Sequence, residues 1–256
     1  MNFDLYSSYY DLINKQKQYA IESDYIANLL TSYFPNQRLD ILELGCGSGA
    51  HAEHLVKNPV INFIQGIELS QEMVKAAKDK NIKAFDVLQG NIAELSKLSL
   101  SKNFDAAISL FHVISYLTKS EDVISCFNGL HKTLKPNGVF IFDVWYTPAV
   151  YFQKPETRIR KVENDKIQVT RIAKSIIQEE RNVVDVHFEI FVKNKTLNSI
   201  EVFTEIHPMR HFSTPEIRLM AELSGFDLIE SHEFHTMKQP SVSTWGVTYI
   251  LKKHDK

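Results

Sequence analysis

Apolar residues recur along this chain at two different periods, and the switch between them divides it. Up to about residue 150 short apolar runs alternate with helical repeats. Ile21, Tyr25, Ile26, Leu29, Leu30 and Tyr33 fall on one face of a helix predicted over 19–33, which Pro35 and Asn36 stop. Buried strands are predicted over 39–44, 63–69, 83–88, 104–110 and 139–144, and helices over 50–56 and 70–79. Thr118-Lys119-Ser120-Glu121 reads as a capping box opening a further helix, which buries Val123, Ile124, Phe127, Leu130 and Leu134 and ends at Pro136. Strands alternating with helices at this spacing predict a parallel sheet covered by helices on both faces.

From about residue 156 the period becomes two. Ile167, Val169, Ala173 and Ile177 alternate with polar neighbours, as do Val184, Val186, Phe188, Ile190 and Val192, and then Ile200, Val202, Thr204 and Ile206. These are expected to be long antiparallel strands with one dry and one wet face, set between 156 and 207. The helical rhythm returns after Ser213, with Thr214 as the expected cap, Pro215 in the first turn and Gly225 past the end. Strands near 226–233 and 244–251 complete the pattern.

Composition narrows the function classes. Of 256 residues, 44% are hydrophobic and 23% charged, an ordinary globular balance. No apolar run is long enough to span a membrane, and the first residues carry no basic leader with an apolar stretch behind it. Two cysteines, Cys46 and Cys126, form neither a disulfide framework nor a metal-ligand spacing, which fits a reducing, cytoplasmic setting. A formal charge of −2 argues against sequence-independent nucleic-acid binding.

The chemistry starts at Glu43-Leu44-Gly45-Cys46-Gly47-Ser48-Gly49, between a strand and a helix. Closely spaced glycines there let backbone amides approach a ligand. Gly45-x-Gly47-x-x-Ala50 satisfies the dinucleotide fingerprint. Glu43 favours a different ligand, because a carboxylate beside the loop repels a pyrophosphate but suits an ammonium and a sulfonium. Glu68, at the end of the second strand, can accept both hydroxyls of a ribose. Met73, one helical turn on, offers an apolar wall. Gln89-Gly90-Asn91-Ile92 follows the third strand, Ser109-Leu110-Phe111-His112 the fourth, and Leu134-Lys135-Pro136-Asn137-Gly138 precedes the fifth.

In this order, over residues 37–146, these motifs resemble the class I S-adenosylmethionine-dependent methyltransferases. The resemblance implies an α/β fold with a Rossmann-like sheet, mostly parallel with an antiparallel final strand, and helices on both faces. The antiparallel insertion is set into it. S-adenosyl-L-methionine is then the cofactor. Glu43, Gly45, Cys46, Gly47 and Gly49 form its loop, Glu68 and Leu69 the ribose end, Met73, Gly90, Asn91 and Ile92 the adenine site, and Leu110 and Phe111 the backing of the methionine portion. The chain then reads as one methyltransferase domain over 1–256: an N-terminal lid and helix (1–36), the cofactor-binding core (37–150), the insertion (156–207), and a final helix and strands (213–256).

Tyr10-Asp11-Leu12, Lys17-Gln18-Tyr19, residues 111–117 and Asp143-Val144-Trp145-Tyr146-Thr147-Pro148 resemble, more narrowly, the N,N-dimethyltransferases of nucleotide-linked amino sugars. The insertion, Arg210-His211-Phe212-Ser213 and Trp245-Gly246 extend the likeness. It implies a small-molecule amine acceptor methylated by in-line displacement, a homodimer through the insertion, and Tyr10 and Tyr19 closing over the cofactor. The chain departs from that group with Asp143 where glutamate is usual and Tyr116 where some carry histidine. The alternatives are an O-methyltransferase, a nicotinamide or flavin oxidoreductase, and a non-catalytic S-adenosylmethionine-binding protein. An amine must shed its proton before it attacks. His112, Tyr116 and His207 are the candidate catalytic residues, with His211 and Tyr6 behind them. Arg210 is a candidate for an acidic substrate group. Trp145 and Tyr146 could stack on a substrate ring or pack under the insertion.

Overall fold

The computed structural model describes Leu12, Ile13 and residues 17–254. Tyr6, Tyr10 and Asp11 lie outside the described residues. The elements in order are α1 (Tyr19–Tyr33), β1 (Leu39–Leu44), α2 (Ala50–Leu55), β2 (Ile61–Glu68), α3 (Gln71–Asp79), β3 (Phe85–Gln89), β4 (Phe104–Ser109), α4 (Ser120–Thr133), β5 (Leu134–Tyr146) and α5 (Thr147–Gln153). They continue with β6 (Arg158–Glu163), β7 (Ile167–Gln178), β8 (Val183–Asn194), β9 (Ser199–Phe212), α6 (Thr214–Leu223), β10 (Phe226–Glu233) and β11 (Gly246–Lys253).

Strands β3, β2, β1, β4 and β5 run parallel in that spatial order, and β11 then pairs antiparallel with β5 and with β10. Both faces of this sheet are dry, so its central strands read as continuous apolar runs. The pleat sends alternate residues to opposite cores. Leu42, Leu44, Phe140, Phe142, Val144, Tyr249 and Leu251 face α4 and α6. Leu39, Ile41, Val139, Ile141 and Ile250 face α1 and α2. A fully buried phenylalanine here contributes about 1.5–3 kcal/mol from its area alone.

Strands β6 to β9 form the antiparallel insertion. It does not stand apart as a separate sheet. Trp145 and Tyr146 at the end of β5 pair in parallel with His211 and Phe212 at the end of β9, so the insertion continues the sheet from its carboxyl edge. Trp145 packs under it, beside Val150, Val184, Val186 and Met209. The basic residues Arg158 and Lys161 lie exposed on β6.

Local expectations shift in three places. Ile21 is exposed, and Glu22 and Ser23 take the buried face of α1 instead, because the helix start covers a polar cluster rather than the apolar core. The capping box at Thr118 does not form. The cap position of α4 is Lys119, with no side-chain cap, and the Ser120 hydroxyl is held from outside by Arg210 Nη2 at 3.1 Å. The cap of α6 is Ser213, whose hydroxyl accepts from Glu216 N–H, while the Thr214 hydroxyl turns to the Tyr249 hydroxyl at 3.0 Å. No helix among the described residues is long and apolar enough to cross a membrane.

Candidate active site

The carboxyl ends of β1, β2, β4 and β5 converge where open parallel sheets bind ligands. The β1–α2 loop crosses them with Gly45, Gly47 and Gly49 all in left-handed backbone, at φ 68°, 56° and 75°. Gly47 has open space where a side chain would stand, so a ligand can lie against its backbone. Gly45 is closed in: a Cβ there would come within 2.5 Å of Val113. The Cys46 side chain contributes packing. Its thiol is buried against Gly66, and burial, with Glu43 and Glu68 nearby, pushes its pKa well up.

Two carboxylates flank this loop. Glu68 accepts from Gly47 N–H and Ser70 N–H, each at 2.9 Å, so the loop and the start of α3 are tied to one side chain. Each of its oxygens keeps a lone pair for a hydroxyl donor. Leu69 beside it is exposed, and Met73 is buried under the start of α3. Glu43 is 1% exposed, and its Oε2 has no hydrogen-bond partner among the described residues. Burial raises its pKa to about 8, with Lys17 opposing and Glu68 adding to the shift. A buried acceptor without a donor is costly. A ligand bearing an ammonium supplies the missing donors, and one with vicinal hydroxyls suits Glu68. S-adenosylmethionine has both.

Around Glu43 the structure assembles a cluster that adds Glu22 and His51, residues without an expected role, to Lys17 and Tyr19. His51 Nε2 lies 2.6 Å from Glu22, and its Nδ1 lies 3.9 Å from Glu43. Lys17 Nζ lies 3.1 Å from Glu22 and sits 3.6 Å above the Phe111 ring and 4.7 Å from that of Tyr19. Tyr19 packs edge-on against His51. Burial lowers the pKa values of Lys17 and His51, against the pull of Glu22. Burial would raise that of Glu22, yet its hydrogen bond from His51 and the charge of Lys17 hold it below the usual range. Charged residues on the buried faces of α1 and α2 were the available signal, since such residues are rarely buried unless paired.

The residues expected at the adenine are less organised. Asn91 Oδ1 accepts from Ala93 N–H at 3.0 Å, capping a short turn, and Gly90 and Ile92 flank it. Leu110 is buried in the core, whereas Phe111 is 44% exposed. Phe111 and His112 both adopt left-handed backbone, φ 66° and 61°. Two such non-glycine residues in a row store about 1–3 kcal/mol each. The strain is met by Asp143, fully buried, whose Oδ2 accepts from His112 N–H at 3.2 Å and lies 2.6 Å from His112 Nδ1. Burial would raise the Asp143 pKa, but His112 holds it below the usual carboxylate range.

The other base candidates separate. Tyr116 and His207 meet: the phenol oxygen lies 2.9 Å from His207 Nδ1. His211 is fully buried, hydrogen-bonded to Thr147 at 2.9 Å, and burial lowers its pKa to about 4, with Arg210 adding. Arg210 is buried and pairs with Glu216 at 2.5 Å, so it braces α6 rather than facing a substrate.

Residues 41–138 match a methyltransferase domain family. The chain is 27% identical, over 87% of its length and 88% of the relative's, to a dTDP-3-amino-3,4,6-trideoxy-alpha-D-glucopyranose N,N-dimethyltransferase of Streptomyces venezuelae. Its fold is shared with an S-adenosylmethionine-dependent methyltransferase from Clostridium acetobutylicum, at TM-score 0.80 and 22% identity over 99% of both chains. A sugar N-methyltransferase from Streptoalloteichus also superposes at TM-score 0.80 and 22% identity, covering 98% of this chain and 93% of that one. With the family match, the glycine loop and the two flanking carboxylates in place, the chain is an S-adenosylmethionine-dependent methyltransferase of class I architecture.

Proposed function

We propose that the chain methylates the amino group of a nucleotide-linked amino sugar. The observation that carries this is the reach of the likeness to the Streptomyces venezuelae sugar enzyme, 222 residues, well beyond the cofactor-binding core. The insertion is included in it, and the insertion is what brings His207 to the carboxyl edge.

S-adenosylmethionine, when bound, supplies a sulfonium methyl that is already electrophilic. The protein therefore has to hold, orient and deprotonate. Glu43 and Glu68 hold the charged and hydroxylated ends of the cofactor, with Gly45, Gly47 and Gly49 giving backbone access. Phe111 and Tyr19, already paired with the Lys17 cation, offer aromatic faces that favour positive charge. Orientation of the acceptor supplies up to about 7–11 kcal/mol. His112, fixed by Asp143, and Tyr116, fixed by His207, are the titratable groups on the β4–α4 loop that can receive a proton from the amine.

The test is transfer of labelled methyl from S-adenosylmethionine to a dTDP-linked 3-amino-3,6-dideoxyhexose, beside the same sugar nucleotide with a 3-hydroxyl. Mono- and dimethylated amine, with the hydroxyl compound untouched, is the expected result. Equal methylation of the hydroxyl compound, or none of either by protein that binds S-adenosylmethionine, overturns the assignment.

A further inference from the structure

The His112 ring is held on four sides. Its Nδ1 lies 2.6 Å from Asp143 Oδ2, the same oxygen that accepts its backbone N–H. The ring stacks on Phe111 with centroids 5.9 Å apart and meets the Trp145 ring edge-on at 6.2 Å. The fourth side is Gly246, the first residue of β11, where a Cβ would stand 3.1 Å from His112 Cε1. Gly246 is not one of the positive-φ glycines, so the imidazole, rather than the backbone, is what leaves no room for a side chain there. The residues on either side of His112 both belong to the cofactor end of the sheet. Phe111 carries the Lys17 cation on its ring, and Val113 closes over Gly45.

The contact with Asp143 orders the protons of the ring. Two lone pairs do not face each other at 2.6 Å, so a proton lies between Nδ1 and the carboxylate. An ionised carboxylate only accepts, so Nδ1 carries that proton. The lone pair of the neutral imidazole is then on Nε2. Among the described residues nothing hydrogen-bonds to Nε2, and whereas Nδ1 is buried, Nε2 is on the accessible side of a side chain that is 20% exposed.

We propose that His112 Nε2 is the base that takes the proton of the methyl acceptor, with Asp143 and Gly246 as positioning residues. This rests on the amine-acceptor reading above and chooses between the two groups named there. A neutral imidazole has a vacant proton site, whereas an unperturbed phenol keeps its own proton until about pH 10. The acceptor ammonium gives one proton to Nε2, and the electron pair of that N–H bond stays on the amine for the methyl group. The imidazolium keeps its Nδ1 proton on Asp143, whose carboxylate balances the new charge. The proton then leaves Nε2 for water, so each methyl transferred releases one proton and restores the base. The last strand enters the chemistry through Gly246, which sets how far the ring can lie toward β11.

The assignment is tested on the full chain with nitrogen-15 histidine labelling and with steady-state kinetics. In the protein alone, the neutral His112 ring should be the Nδ1–H tautomer. With S-adenosylmethionine and the dTDP-linked 3-amino sugar, His112→Gly should lower kcat by about 100-fold, with KM for the sugar within about twofold, and imidazole in solution should recover about 10-fold of the loss. Glycine suits the left-handed backbone at this position, so the variant is expected to fold. Gly246→Ala should lower kcat by about 10-fold by displacing the ring, and should add nothing in the His112→Gly background. An Nε2–H tautomer in the wild type, kcat preserved in His112→Gly, or a loss that imidazole leaves untouched overturns the base. Additive losses in the double variant overturn the part given to Gly246. The amine reading fails on a different result, no methylation of that sugar by the wild type, and the tautomer then still decides whether Asp143 holds Nδ1.

Discussion

Replacing Glu43 with glutamine should stabilise the protein at alkaline pH and weaken its hold on S-adenosylmethionine. The wild-type carboxyl is fully buried, and its pKa stands at about 8 against an ordinary 4.5. Between those values the folded protein keeps a proton that the unfolded chain has released, so stability falls as pH rises through this window. At about 1.36 kcal/mol per pH unit the full loss is about 5 kcal/mol. Glutamine does not ionise and escapes that loss, but it brings two amide protons into a site where Oε2 has no hydrogen-bond partner among the described residues and His51 Nδ1 lies 3.9 Å from Oε1. An unsatisfied buried donor costs about 1–3 kcal/mol. The variant should therefore be less stable than wild type near pH 5 and more stable by about 2–4 kcal/mol near pH 8. Urea unfolding followed by circular dichroism, at several pH values between these limits, reads the crossover as a change in midpoint at constant slope. A stability difference that does not depend on pH, or a variant weaker than wild type at pH 8, refutes the reasoning. The same ionisation couples to the cofactor. Its cationic end favours the carboxylate, so wild-type binding at pH 7 should release a proton, seen as a buffer-dependent heat that Glu43→Gln abolishes.

Two predictions concern packing. Gly66→Ala places a Cβ 2.5 Å from Cys46 Sγ and 3.0 Å from the Phe85 ring, and should cost about 1–3 kcal/mol in urea unfolding, partly recovered when Cys46→Ala is added. Arg210→Ala leaves Glu216 without its partner and should cost about 3 kcal/mol in thermal unfolding, whereas the double change Arg210→Met with Glu216→Leu should restore most of that loss.

Much of the fold was legible in the chain because its signals are local. The two hydrophobic periods separate the parallel core from the antiparallel insertion. Leu39 to Leu44 and Val139 to Val144 each alternate between two cores, and the glycine loop falls between a strand and a helix where three positive-φ positions are needed. Glu43 and Glu68 were likewise marked by their places at strand ends. Where local signals failed, a tertiary partner had taken the side chain. Lys119 rather than Thr118 stands at the cap of α4, where Arg210 holds the adjoining Ser120 hydroxyl, and Glu22 is drawn into the face of α1 that the apolar pattern gave to Ile21.

What the sequence determined by itself is the order of elements and the place of the glycine loop between a strand and a helix with Glu43 and Glu68 at strand ends, since each depends on residues close along the chain. Only the tertiary structure decided which distant polar groups meet. Tyr116 is 91 residues from His207, and His51 is 29 from Glu22. Pairs at such separations leave no periodicity to read, because their contact depends on how β9 returns to the end of β5 and how α1 folds over the glycine loop. The electrostatic character of the site, from the raised Glu43 carboxyl to the Asp143 held by His112, follows from burial and from those meetings, so it exists only in the folded chain.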